Sequence, residues 1–176
     1  MVEQAGAVVF RDDGKVPRIL LVRSRRRSRS WIFPKGTVER GEKAEDAALR
    51  EAHEESGVVG DVVCELGKPV TRRSAKRVVR VRYFLVRRSD EMESPEGRKK
   101  RWLVPWRAFR LLARSDSRQL LLLALRELDA LADGVDGRGK SRRRTGKTQI
   151  YGVGDMWRGL RHVLATLRSS LVGPRR

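Results

Sequence analysis

Three glutamates near the middle of the sequence have a spacing that suits a divalent cation. Glu51, Glu54 and Glu55 stand at positions i, i+3 and i+4 of a segment that holds good helix formers and no Gly or Pro from Ala44 to Ala52. In a helix these side chains project from one face, where their like charges repel one another. A hard cation bound by oxygen ligands offsets that repulsion. The spacing therefore favours a metal-binding helix.

Glycines flank this helical segment. Gly57 is the expected C′ residue, since helices commonly end on a glycine with left-handed backbone. Gly36 and Gly41 allow the preceding loop to fold tightly, and they can present backbone carbonyls to the same cation.

The stretch from Gly36 to Val58 resembles the signature of the Nudix hydrolases, G-x5-E-x7-R-E-U-x-E-E-x-G-U, in which U is an apolar residue. Every constrained position is filled in register, with a small residue, Ala52, at the first U. These positions are Gly36, Glu42, Arg50, Glu51, Ala52, Glu54, Glu55, Gly57 and Val58. The resemblance implies an α+β fold, the Nudix α/β/α sandwich with a mixed β-sheet, and an enzyme that hydrolyses a phosphoanhydride bond.

The resemblance also implies roles for the charged residues of the box. Glu51 and Glu55 are the expected ligands of Mg²⁺ or Mn²⁺, with the Gly36 carbonyl beside them. Glu54 is expected to share metal binding or to act as the catalytic base. Glu51 is a second catalytic candidate, and the carboxylate that takes the proton stays open.

Three further residues of the box have an architectural role by the same resemblance. Glu42 and Arg50 are expected to form an ion pair that positions the loop on the helix, and Gly57 ends that helix.

The charge balance predicts a polyanionic partner. The 176 residues include 41 Lys and Arg against 22 Asp and Glu, a formal net charge of +19. Such a charge raises encounter rates with polyanions without selecting one. Nucleic acid, polyphosphate, inositol phosphates and acidic membrane surfaces all qualify.

Basic residues in the loops around the box are candidate contacts for substrate phosphates, because guanidinium groups match phosphate oxygens well. The alternative for each is an ordinary solvated charge. The candidates are Arg25, Arg27, Arg29, Lys35, Arg72, Lys76, Arg98 and Lys99. By resemblance to other Nudix enzymes, an acidic loop after the box can add a metal ligand or base, and Glu91, Glu93 and Glu96 are the candidates.

Apolar patterning and turn residues place the remaining elements. Strands are predicted over 4–10, 18–23, 31–33, 61–71, 76–88 and 98–104, and helices over 106–113 and 117–132. Asp116 and Gln119 form a capping-box pattern at the start of the last helix.

The domain organisation follows from a change in composition. Residues 1–132 form the predicted Nudix domain, and 133–149 are a basic, Gly-rich linker. Residues 150–176 are predicted to form a basic amphipathic helix that docks on the parent domain, a protein partner or an acidic membrane surface. The basic C-terminal extension is also a possible anchor for nucleic acid.

Two short motifs refine the substrate hypothesis. WIFPKGTVERGE at 31–42 and GRKKRW at 97–102 look like the diadenosine polyphosphate and diphosphoinositol polyphosphate hydrolases. The resemblance implies a polyphosphorylated small-molecule substrate: a diadenosine polyphosphate, a diphosphoinositol polyphosphate or polyphosphate. Pro34-Lys35-Gly36, where that branch often has a glycine run, favours a dinucleoside polyphosphate. The alternatives are a housecleaning pyrophosphohydrolase for nucleoside triphosphates and an RNA-associated Nudix protein, decapping or binding.

The same sequence predicts a cytoplasmic protein. No run of 18 or more apolar residues occurs, and Met1 to Phe10 lacks the pattern of a signal peptide. Cys64 is the only cysteine, which excludes an intramolecular disulfide and fits a reducing compartment. The oligomeric state stays open.

Overall fold

The computed structural model of the protein describes residues 1–12, 16–25, 30–73 and 77–132. Three predicted phosphate contacts, Arg27, Arg29 and Lys76, lie outside the described residues. The predicted linker, 133–149, and the predicted helical tail, 150–176, also lie outside them.

The described residues form a mixed sheet with three helices. The strands are β1 (Val2–Arg11), β2 (Arg18–Arg23), β3 (Trp31–Ile32), β4 (Lys35–Thr37), β5 (Val58–Glu65), β6 (Val70–Arg73), β7 (Val78–Glu91) and β8 (Lys100–Leu103). The helices are α1 (Ala44–Ser56), α2 (Pro105–Leu111) and α3 (Ser115–Ala132). β1 and β7 run parallel, whereas the other pairs of strands are antiparallel. The predicted α+β class with a mixed sheet is confirmed.

Helices cover both faces of the sheet because successive residues of a strand point to opposite faces. Val8 of β1 and Tyr83 of β7 belong to one core cluster, to which α2 contributes Phe109. Ala7 and Phe84, the next residues along these strands, belong to the other cluster. That second cluster includes Ala47, Ala48 and Ala52 of α1, whose small side chains let the helix lie close to the sheet. The sheet therefore lies between α1 and the pair α2 and α3.

Two local predictions were wrong. The strand predicted over 61–71 is two strands, β5 and β6, because Gly67 has a φ of +61° and Pro69 precedes the second one. The predicted capping box does not mark the start of α3, which begins at Ser115. Asp116 lies in the first turn, and its carboxylate accepts hydrogen bonds from Arg72 and Arg114.

No helix among the described residues is long and apolar enough to span a membrane.

Candidate active site

Helix α1 carries the three glutamates near its C-terminal end, which is defined by Gly57. Gly57 has a φ of +75° and its N–H donates to the carbonyl of His53 at 2.6 Å, so the helix ends at the predicted residue. Only glycine adopts that backbone conformation without steric cost. Glu55, one of the predicted metal ligands, therefore lies two residues before Gly57, where the helix ends.

Arg50 joins the loop before α1 to the helix itself. Its Nε donates to Oε1 of Glu42 at 2.9 Å, and one terminal nitrogen donates to Oε2 of Glu42 at 3.0 Å. The same nitrogen donates to the carbonyl of Thr37 at 2.9 Å. The hydrogen bond from Arg50 lowers the pKa of Glu42 and raises that of Arg50. The predicted Glu42–Arg50 ion pair is therefore present.

The other terminal nitrogen of Arg50 reaches the predicted metal ligands. It donates to Oε1 of Glu51 at 3.1 Å and to Oε2 of Glu54 at 3.2 Å. One guanidinium thus offsets part of the repulsion among the carboxylates that the sequence places on this face.

Gly36 leaves room for the carboxylate of Glu51. A Cβ at Gly36 would overlap all three carboxylate atoms of Glu51, so the bare backbone of β4 lies directly against that group. Burial raises the pKa of Glu51 in spite of its hydrogen bond with Arg50. Carboxylates and backbone carbonyls are both oxygen ligands for a hard cation, so the backbone of Gly36 beside Glu51 is compatible with such a site.

Glu55 is the most buried carboxyl group of the three. The residue is 1% exposed, and its Oε1 pairs with Arg98 at 3.0 Å. Its Oε2 is buried and has no hydrogen-bond partner among the described residues. Burial raises the pKa of Glu55 to about 8, so the ionised form is disfavoured in this environment. A further cation at Oε2 would stabilise the ionised form.

The loop after β7 brings one more carboxylate to the cluster. The carbonyl of Glu54 accepts hydrogen bonds from the N–H of Glu96 at 3.0 Å and from the hydroxyl of Ser94 at 2.9 Å. The charge of Glu96 contributes to the raised pKa values of Glu51 and Glu55. Among the three acidic candidates from this loop, Glu96 is therefore the one beside the cluster.

No hydrogen bond or ion pair among the described contacts joins the side chains of the other two acidic candidates to the cluster. Glu91 accepts a hydrogen bond from the indole of Trp102 at 3.1 Å and pairs with Lys100 and Arg88. Glu93 is an exposed residue.

A cationic cleft adjoins the acidic cluster. It has a volume of about 280 Å³. Its lining residues are Ser24, Ser30, Trp31, Ile32, Lys35, Arg72, Ala113, Arg114 and Ser117. Lys35 connects the two regions, because it is the neighbour of Gly36 and its charge lowers the pKa of Glu55. The cleft thus offers positive charge next to the carboxylates.

The structure separates the predicted phosphate contacts into groups. Lys35 and Arg72 line the cleft. Arg98 pairs with Glu55 and Glu96, and Arg25 lies 3.4 Å from Glu96, so both are beside the acidic cluster. Lys99 is exposed, and among the described contacts only its carbonyl takes part, by accepting from the N–H of Arg23.

Sequence reasoning missed Arg114. It lies just before α3, opposite β6, and no motif marks it. Only the packing of α3 beside β6 places it across from Arg72.

The family follows from a comparison with known domains. The NUDIX domain profile matches residues 2–124. The chain belongs to the Nudix family. The family predicted from the sequence is confirmed.

Relatives of the predicted branch are among the Nudix proteins that the chain matches. It is 37% identical to Nudix hydrolase 4 of Arabidopsis thaliana over 93 residues, which cover 51% of this chain and 44% of that protein. It is 33% identical to diphosphoinositol polyphosphate phosphohydrolase 3-alpha of Mus musculus over 105 residues, which cover 57% of this chain and 62% of that protein. The chain thus spans less than two thirds of the length of either relative.

A solved structure supports the Nudix fold. The C. elegans Ap4A hydrolase, solved as a binary complex, superimposes with a TM-score of 0.62 over 76% of this chain and 99% of that one. Its sequence identity is 23%, so the likeness concerns the fold.

The residues of the Nudix box fit a divalent cation. In the described part of the chain no three acidic, His or Cys side chains converge closely enough to hold a metal ion, and Arg50 and Arg98 pair with the carboxylates of Glu51 and Glu55. The unpaired oxygen of Glu55 and the Glu51 carboxylate beside Gly36 are nonetheless oxygen ligands of the type that a hard divalent cation takes. Gly36, Glu51, Glu54 and Glu55 are the residues that would hold the ion.

Proposed function

We propose that the protein hydrolyses a phosphoanhydride bond in a densely phosphorylated small molecule, with Mg²⁺ or Mn²⁺ as cofactor. The observation that carries this proposal is the buried, unpaired oxygen of Glu55 on the glutamate face of α1. A buried carboxylate oxygen without a partner carries a desolvation cost, so its presence beside two further glutamates supports a role in binding a cation.

The cation would be held by Glu51, Glu55 and the Gly36 carbonyl, with Glu54 as a further ligand or as the base. When bound, such an ion neutralises phosphoanhydride charge and lowers the pKa of a coordinated water. The chain itself supplies the geometry: Arg50 orients Glu51 and Glu54, and the loop that carries Glu96 is fastened to the carbonyl of Glu54.

The catalytic base is assigned first to Glu54. Its side chain is 38% exposed, more than those of Glu51 and Glu55, and solvent access lets a carboxylate receive a proton from water and pass it on. Glu51 and Glu96 are the other two candidates. The acidic limb of the pH profile of kcat, compared among Glu54→Gln, Glu51→Gln and Glu96→Gln, tests this assignment, because only loss of the base removes that limb.

The cleft and the relatives support a substrate rich in phosphate. Lys35, Arg72 and Arg114 place three cationic side chains in a small cleft next to the carboxylates. One relative, 33% identical over 105 residues, is named a diphosphoinositol polyphosphate phosphohydrolase, and for that reason we test a diphosphoinositol polyphosphate first. Diadenosine polyphosphates and linear polyphosphate are the next two.

A product-identity screen tests the proposal. The full chain is incubated with Mg²⁺ and each of a diphosphoinositol polyphosphate, a diadenosine polyphosphate, linear polyphosphate, a nucleoside triphosphate and capped RNA. We expect turnover of the first three, abolished by EDTA. Preference for the triphosphate or the cap would overturn the substrate class, and absence of turnover with every substrate would overturn the activity.

A further inference from the structure

We propose that Arg72 and Arg114 form an anion subsite in the cationic cleft and that Asp116 is the positioning residue that holds the two guanidinium groups. The subsite would bind phosphate groups of the substrate remote from the cleaved anhydride. This inference rests on the proposed function, and it adds two residues, Arg114 and Asp116, that the sequence analysis does not place at the site.

A single carboxylate organises the subsite. Oδ2 of Asp116 accepts from Nε of Arg72 at 3.1 Å and pairs with a terminal nitrogen of Arg72 at 3.0 Å. Both oxygens of the same carboxylate accept from Arg114, at 3.2 and 3.3 Å from Nε and 3.2 Å from a terminal nitrogen. Because Arg72 and Asp116 are 44 residues apart, this contact also joins the edge strand β6 to α3.

The shared carboxylate leaves the subsite positive. Two guanidiniums share one acid, Asp116, Lys35 adds a further cationic residue to the lining, and none of the described lining residues is acidic. A guanidinium has five N–H donors, so it can hold a carboxylate and a phosphate at the same time. The geometry therefore suits an anion with several oxygens.

A buried tyrosine of β7, Tyr83, lies next to Arg72. Tyr83 of β7 is 3% exposed, and burial raises the pKa of its hydroxyl to about 12, although the adjacent Arg72 acts to lower it. Tyr83 packs against Phe33 edge to face, with ring centroids 6.4 Å apart. The guanidinium of Arg72 thus lies beside a buried hydroxyl as well as Asp116, and these contacts limit the conformational entropy lost when it binds a ligand.

The cleft offers a nucleobase little aromatic surface. Trp31, the one aromatic residue among the described lining residues, is 8% exposed, and the guanidiniums of Arg23 and Arg101 each lie 4.9 Å from its ring centroid. Little of that ring is left for a base to stack on.

The test measures anion binding without turnover. Isothermal titration calorimetry of the full chain in EDTA uses inorganic tripolyphosphate as the probe, with adenosine as a second probe. We expect tripolyphosphate to bind and adenosine not to bind. Arg72→Gln and Arg114→Gln should each weaken tripolyphosphate binding by about tenfold or more, as expected for the loss of a charge-assisted hydrogen bond. Arg110→Gln, which removes the same charge from an exposed position of α2, is the matched control and should change the affinity less than threefold.

Asp116→Asn separates positioning from net charge. If charge alone governed affinity, removing an acid would tighten binding of the anion. If Asp116 positions the guanidiniums, the variant binds tripolyphosphate more weakly and raises KM for the substrate while kcat stays near the wild-type value. Tighter binding by Asp116→Asn would overturn the positioning role, and arginine variants that behave like Arg110→Gln would overturn the subsite.

The two proposals fail in different ways. Tripolyphosphate binding that depends on Arg72 and Arg114, without hydrolysis of any substrate, would support the subsite and reject the proposed function. Hydrolysis with a KM that is unchanged in both arginine variants would support the proposed function and reject the subsite. Adenosine binding as tight as that of tripolyphosphate would overturn the phosphate selectivity.

Discussion

At the scale of single residues, the candidate site is a place where stability and function oppose each other. Glu55 is buried with one oxygen unpaired and a pKa raised to about 8, which no requirement of packing explains. An ionised carboxylate in that environment destabilises the fold unless a cation accompanies it. Such a residue is expected where function maintains it.

Replacement of Glu55 by Gln should therefore affect activity and stability in opposite directions. Metal-dependent turnover should fall by at least about 100-fold, the upper range for residues that support a metal ligand, because a ligand charge is lost. The metal-free protein at pH 9 should be as stable as the wild type or more stable. The reason is that the pKa of Glu55 is higher in the folded protein than the unfolded value of 4.5. Ionisation of Glu55 therefore lowers the free energy of unfolding of the wild type as the pH rises.

Initial rates with Mg²⁺ and thermal unfolding in EDTA measure the two effects. Glu65→Gln is the control: Glu65 is an exposed residue of β5 that pairs with Arg82 away from the site, so turnover should be retained. Near-normal turnover by the Glu55 variant would reject its role as a ligand.

Two glycines of the loop before α1 should respond to alanine for different reasons. At Gly36 the added Cβ overlaps the Glu51 carboxylate, so Gly36→Ala should lower turnover strongly with little change in the melting temperature. At Gly41 nothing lies within 4 Å of the added Cβ, but φ is +83°. Gly41→Ala should therefore lower the free energy of unfolding by about 1–2 kcal/mol, the steric cost of a left-handed residue with a Cβ, and leave turnover per folded molecule unchanged.

Turnover and chemical denaturation of the pair, measured side by side, check this prediction. Equal losses of turnover in both variants would mean that Gly36 acts through the backbone of the loop and not through its contact with Glu51.

At the scale of elements, the acidic cluster depends on how neighbouring segments are fastened to α1. The last turn of the helix accepts hydrogen bonds from the loop after β7 through the carbonyl of Glu54, and the ammonium of Lys100 bonds the carbonyl of Ser56 at 2.6 Å. These bonds satisfy carbonyls that a helix end leaves unpaired. They also determine the position of Glu96 and Arg98.

Asp116 joins α3 to β6 through ion pairs, so the free energy of unfolding should depend on pH in the acidic range. Desolvation raises the pKa of Asp116, but Arg114 and Arg72 outweigh it, so the pKa is lowered from 3.8. A lowered pKa means that the ion pairs stabilise the fold fully above the unfolded value and are lost as the pH falls through the folded one. Asp116→Asn should therefore cost about 0.5–1 kcal/mol at pH 7, as expected for a partly exposed pair, and progressively less as the pH falls below 3.8.

Urea denaturation of wild type and variant across this pH range provides the measurement. Asp61→Asn, at an exposed position of β5, controls for the loss of one acid. A difference between wild type and Asp116→Asn that is independent of pH would show that the ion pairs do not account for it.

At the scale of the whole molecule, the net charge of +19 should act on encounter with the substrate and not on the chemical step. Raising ionic strength shortens the Debye length from about 10 Å at 0.1 M to about 3 Å at 1 M. KM for a polyphosphorylated substrate should therefore rise steeply with salt, while kcat stays constant. Steady-state kinetics at constant free Mg²⁺ check this, and a falling kcat at constant KM would contradict it.

The sequence by itself was enough to predict the features of the site that depend on residues close in the chain. Glu51, Glu54 and Glu55 share a helical face because of their spacing, α1 ends at Gly57 because a left-handed residue is needed there, and Arg50 pairs with Glu42 within the same short stretch. All three features involve residues close in the chain: helix periodicity and backbone preferences predict the first two, and the resemblance to the Nudix box predicts the third.

Only the tertiary structure decided which distant side chains meet. The loop bonded to the Glu54 carbonyl selects Glu96 over Glu91 and Glu93, although the three are equivalent acidic residues in the sequence. Asp116 was predicted to cap α3 and instead pairs with Arg72, 44 residues away. Contacts of this kind depend on how strands and helices pack, and no spacing within the chain records that packing.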